Sequence, residues 1–127
     1  MSFVRSLSTV FPAFGLLLLA GCSTSSVIER SQKLASLGDY RHAYEEICVE
    51  YDRQSKAGEV AADVADLHSK LKLEWMRDRA QSLIFAERED EALEVLDRLE
   101  ALAPTYAAMK PLRIAATEKK AGRIVER

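Results

Sequence analysis

The chain has 127 residues with 18 basic and 20 acidic side chains, for a formal net charge of −2. This mixed and slightly acidic balance gives no electrostatic reason to bind nucleic acid, or to grip anionic lipid through a polybasic patch. Two cysteines and two histidines supply neither a disulfide framework nor a dense metal cluster.

The first segment is the most informative. Arg5 is the only charged residue before Glu29, and an apolar run from about Val10 to Ala20 follows it, with four consecutive leucines at Leu16 to Leu19. A basic start, a short apolar run and small residues after it are the pattern of a secretory signal. The run is about half the length a bilayer-spanning helix needs. Leu19-Ala20-Gly21-Cys22 closes it, followed by Ser23-Thr24-Ser25-Ser26. These residues resemble the lipobox of bacterial lipoproteins. The resemblance implies cleavage between Gly21 and Cys22, a covalent lipid on Cys22, and a mature chain fixed to a membrane outside the cytoplasm. Ser23 after the cysteine, where Asp favours inner-membrane retention in such lipoproteins, implies an outer-membrane address facing the periplasm. Removing residues 1–21 takes Arg5 and no acid, leaving 17 basic and 20 acidic side chains. The expected organisation is a signal peptide over 1–21, an acylated cysteine and polar tether over 22–27, and one helical domain over 28–127.

Beyond the tether the chain reads as helix throughout, rich in strong helix formers with few glycines and prolines. Ile28, Leu34 and Leu37 fit a first helix ending at Gly38, with Asp39 placed to cap the next. Tyr40, Ala43, Tyr44, Ile47, Cys48 and Tyr51 step by three and four along that second helix. Cys48, the cysteine left over, reads as a small buried hydrophobe. The stripe Val60, Val64, Leu67, Leu71 and Trp75 then passes into Met76, Ala80, Leu83 and Ile84, which predicts one long helix from about Glu59 to Glu87. Asp90 is the expected cap of a fourth helix carrying Ala92, Leu93, Leu96, Leu99 and Ala103. A last helix is expected from about Tyr106 to Lys120, with Gly122 a break and Pro111 either a kink or a first-turn residue.

Two helix pairs resemble each other. Leu34 lies nine residues before Ala43, and Leu83 nine before Ala92, each with a turn between. A large residue follows each alanine by four, Ile47 and Leu96, and Pro104 closes the second unit. With Ala80 as the small residue of a first helix, this resembles the tetratricopeptide repeat, a helix–turn–helix unit of about 34 residues. The resemblance implies close packing through Leu34, Gly38, Ala43, Ile47, Ala80, Leu83, Ala92, Leu96 and Pro104. The two alanines are 49 residues apart, so the spacing exceeds one such unit by about 15 residues. A plain helical bundle is the competing architecture.

No arrangement of residues carries catalytic chemistry. His42 and His68 lie on different helices without metal-ligand spacing, no Gly-x-Ser-x-Gly elbow or phosphate loop is present, and charge runs read as solvated helix surface. The chain is therefore expected to be a binding protein, without cofactor apart from the lipid on Cys22, and without a metal site. In repeat proteins of this kind the first helix of each pair lines a peptide-binding groove, which implies that Glu74, Arg77, Gln81 and Phe85 line it here. Together these features point to a lipid-anchored adaptor or assembly factor that binds another envelope protein. The alternative is a structural lipoprotein that self-associates through its long helix and bridges membrane to cell wall.

Overall fold

A computed structural model describes residues 24–126. The expected lipobox and cleavage site, Leu19 to Cys22, lie outside them. Among the described residues the fold is all-helical, with α1 over 24–36, α2 Tyr40–Lys56, α3 Ala62–Phe85, α4 Glu89–Leu102 and α5 Met109–Glu126. None of these is long and apolar enough to cross a membrane. The segment 22–27, expected as a tether, overlaps α1: residues 24–27 are already helical, and Thr24 Oγ1 donates to Glu50 Oε1 at 3.1 Å. A hydroxyl that can satisfy a buried carboxylate favours helix over loop there. The chain divides into two compact units at Leu67/His68, where one domain was expected.

In the first unit, α1 stops because its end closes on itself. Asp39 N–H donates to Leu34 O at 2.9 Å and Gly38 N–H to Ala35 O at 3.0 Å, with Gly38 at φ +81°. This is the Schellman arrangement, and the left-handed backbone it needs suits glycine. Asp39 then caps α2, its carboxylate accepting from His42 N–H at 3.3 Å. Ala43, Ile47 and Val64 are fully buried, so the predicted stripe of α2 faces inward. Leu37, expected to extend the α1 stripe, is 73% exposed because it belongs to the turn. Cys48 is only half-buried, beside Tyr44 one turn away. Burial, and after it the hydrogen bond to Cys48, pushes the Tyr44 hydroxyl up to about 12.

Glu50 is the buried acid of this unit. It accepts from Arg53, from Gln54 Nε2 at 2.9 Å and from Thr24. The hydrogen bond from Arg53 outweighs desolvation and holds the Glu50 carboxyl down at about 2. Gln54 also accepts from Ala61 N–H at 2.8 Å, just before α3. With Gly58 at φ +99°, that contact fixes a non-helical connection, and α3 starts at Ala62 rather than Glu59.

The second unit packs the rest of α3, α4 and α5 around Met76, Ala80, Leu83, Ile84, Ala92, Val95, Leu96, Leu99, Met109 and Ala116. The turn from α3 to α4 repeats the bonds of the first. Arg88 N–H donates to Leu83 O at 2.8 Å and Glu87 N–H to Ile84 O at 3.1 Å, with Glu87 at φ +62° in the place of glycine. Asp90 is not the cap of α4, contrary to its residue type. The turn starts the helix earlier, Arg88 holds the cap position without a side-chain bond, and Asp90 sits in the first turn paired with Lys120 at 2.5 Å. Its carboxyl is held below the usual range by that Lys120 hydrogen bond.

The last helix also differs from expectation. Residues 103–108 form turns, with Tyr106 N–H on Ala103 O and Met109 N–H on Tyr106 O, so α5 begins at Met109 and Pro111 falls in its first turn. There its missing N–H removes no helical bond. The helix then runs through Gly122 to Glu126 instead of ending near Lys120. Three cations explain this: Lys119 Nζ donates to Ile84 O at 3.0 Å, Lys120 pairs with Asp90, and Arg123 with the fully buried Glu89. Tertiary contacts on both sides of Gly122 outweigh its weak preference for helix, which is about 1 kcal/mol below alanine.

Candidate binding cleft

The residues expected to line a groove fall into two pairs. Arg77 is bonded to Glu74 at 3.0 Å, and Tyr106 Oη donates to the same Glu74 at 3.0 Å, so both charges are engaged within the second unit. Gln81 and Phe85 continue the same stripe outward. Gln81 is exposed and Phe85 is 85% exposed, with Lys119 Nζ 5.7 Å from its ring centre. Phe85 therefore stays outside the core, while Ile84 beside it is buried.

A different face of α3 forms a concavity. Lys72, Trp75 and Arg79 step by three and four along α3, and Val95, Arg98 and Leu102 do the same along α4. The two rows, with Met76 and Ala101, line a cleft of about 430 Å³. Met76 and Val95 are buried and form its floor, because the same side chains belong to the core beneath. Trp75 packs partly on that core, and Leu102 remains 52% exposed at the end of α4. No acidic residue lines the cleft, and among the described residues none of Lys72, Arg79 and Arg98 takes part in an ion pair. Arg79 lies 5.8 Å from the centre of the Trp75 ring, within cation–π range, which stiffens that wall.

Chemically, the cleft offers an apolar strip between cations. Among the described residues there is no cluster of three or more His, Cys, Asp or Glu side chains able to hold a metal ion. The histidine–carboxylate contact of His42 Nδ1 with Asp39 Oδ2 at 2.7 Å belongs to the cap of α2. Its Asp39 carboxyl is lowered by that His42 contact.

Sequence reasoning did not single out Lys72, Arg79, Val95, Arg98 or Leu102. The signal was present as two copies of one spacing, 72/75/79 and 95/98/102, each mixing cation and hydrophobe. What makes them a site is their meeting across two helices. The described residues are thus all-helical, with a surface cleft between α3 and α4. Comparison with protein-family models, with curated proteins and with solved structures gives no match.

Proposed function

We propose that the mature chain is a lipid-anchored adaptor or assembly factor of the cell envelope, held by Cys22 at the outer membrane and binding a segment of another envelope protein. The observation that carries the binding reading is the cleft between α3 and α4, where apolar side chains lie among three cations, none of them in an ion pair among the described residues. A protein of net negative charge that gathers cations around half-buried Trp75 and exposed Leu102 is arranged for a ligand.

The tetratricopeptide-like reading is supported by the matching turns. Leu34 and Leu83 accept equivalent bonds, Gly38 and Glu87 occupy equivalent left-handed positions, and Ala43, Ile47, Ala92 and Leu96 are all fully buried. Such helix pairs serve as scaffolds for protein binding.

The test is a photo-crosslinking residue placed singly at Leu102, Phe85 and Ile114 in the cells that make the protein. A discrete adduct at position 102 and none at 114 is expected. An adduct at 85 alone would move the site to the opposite side of α3, and none at any position would sink the adaptor reading.

A further inference from the structure

The three cleft cations also specify the chemistry of what binds. Lys72 and Arg79 are seven residues apart on α3, which is about 10 Å along the axis at 1.5 Å per residue, with Trp75 between them. Arg98 faces the same space from α4, between Val95 and Leu102. The positive charge is therefore spread over two helical turns, and the apolar contact lies inside the spread.

A ligand with one acidic head and a tail, such as a fatty acid, can answer only one of these cations. It would leave the others desolvated beside its hydrocarbon, an unfavourable arrangement. A polypeptide can place carboxylates at both ends of such a span and hydrophobic side chains between them. Carboxylates seven residues apart on a helix stand about 10 Å apart, with the apolar positions three and four residues in falling on the same face. This matches the distribution of charge and hydrophobe in the cleft.

Resting on the adaptor reading above, we propose that the α3–α4 cleft recognises a short acidic amphipathic segment. Its carboxylates meet Lys72, Arg79 and Arg98, and its apolar side chains cover Trp75 and Leu102. The acids set register and specificity, and the apolar contact supplies most of the affinity.

The experiment uses the full chain purified in a non-ionic detergent and a fluorescent synthetic peptide with two glutamates seven residues apart and two leucines between them. Anisotropy should report binding that weakens as salt is raised. Arg98→Glu and Lys72→Glu should each weaken it by about tenfold, since reversal removes an attraction and adds a repulsion. A peptide with lysines for glutamates, and one with serines for leucines, should fail to bind the unaltered protein. Neither Lys72 nor Arg98 is ion-paired among the described residues, so both variants should keep the circular dichroism spectrum of the parent.

Affinity unchanged by both reversals overturns the proposal. So does binding to anionic vesicles, sensitive to the same reversals, without binding to the peptide. If the peptide fails while the crosslinker at Leu102 still captures a partner, the acidic chemistry is wrong and the adaptor reading stands. If both fail, the reading itself is wrong.

Discussion

Glu89, fully buried in the first turn of α4, is paired with Arg123 in the last turn of α5, across a separation of 34 residues. Its second oxygen, Oε1, is buried without a hydrogen-bond partner among the described residues. The carboxylate therefore depends on one guanidinium. Removing that cation should leave an uncompensated buried acid, a change that destabilises far more than loss of a surface pair. Arg123→Met is expected to lower unfolding free energy by about 2–4 kcal/mol, less than for a fully buried pair because the arginine is partly exposed. Replacing both residues, as Glu89→Leu with Arg123→Met, should recover most of the loss. Urea denaturation of the two variants checks this, and a double variant as weak as the single would contradict it.

The paired turns make a prediction about backbone. Glu87 occupies at φ +62° the position that Gly38 fills at φ +81°. A side chain is strained there, so Glu87→Gly should stabilise by about 0.5–1 kcal/mol. Gly38→Ala should destabilise by a comparable amount. A Cβ at Gly38 would meet nothing within 4 Å, so the loss would come from the dihedral alone. Thermal melts of both should shift in opposite directions. Shifts of the same sign would break the equivalence of the turns.

Close helix approach in the second unit rests on Ala80 and Ala92, both fully buried. Ala92→Leu should therefore overpack the core and destabilise by about 1–3 kcal/mol. Leu96→Ala, one turn on, should leave a cavity and destabilise by about 2–5 kcal/mol. Denaturant midpoints measure both, and a neutral Ala92→Leu would show that the helices are not held apart by residue size at this point.

Stability should depend on acid through Glu50. Its carboxyl is at about 2 in the folded chain against an ordinary 4.5, chiefly because of the Arg53 hydrogen bond. A depressed acid stabilises the fold fully above its unfolded value, and that contribution is lost as pH falls from about 4.5 through about 2. Glu50→Gln should flatten the stability profile in that window while lowering stability at neutral pH. Asp39 and Asp90 are shifted in the same direction but are more exposed, and should leave a smaller residual slope. An unchanged acid profile in Glu50→Gln would remove Glu50 from the account.

The proposed anchor is tested independently of the fold. Cys22→Ser should abolish labelling by a fatty-acid probe, and labelling that persists would refute the lipobox assignment. In a host with two membranes, Ser23→Asp should move the protein towards the inner membrane in density fractionation.

The sequence by itself determined the helical class, the caps at Gly38 and Asp39, and the burial of Ala43, Ile47, Ala92 and Leu96. All of these follow from interactions within a few residues, where periodicity and turn chemistry act. The residues Leu19-Ala20-Gly21-Cys22, proposed as a lipobox, form a linear pattern of the same local kind. Tertiary structure decided the rest. Asp90 has the chemistry of a cap, but the left-handed turn at Glu87 starts α4 before it and leaves Asp90 to Lys120. Glu89, indistinguishable in sequence from its acidic neighbours, is buried because a cation 34 residues away can reach it. Gly122 stays helical because Lys119 is tied to the end of α3, and Lys120 and Arg123 to the start of α4. The cleft is of the same kind: its two rows are written locally, but only the packing of α3 with α4 brings three like charges around one apolar strip.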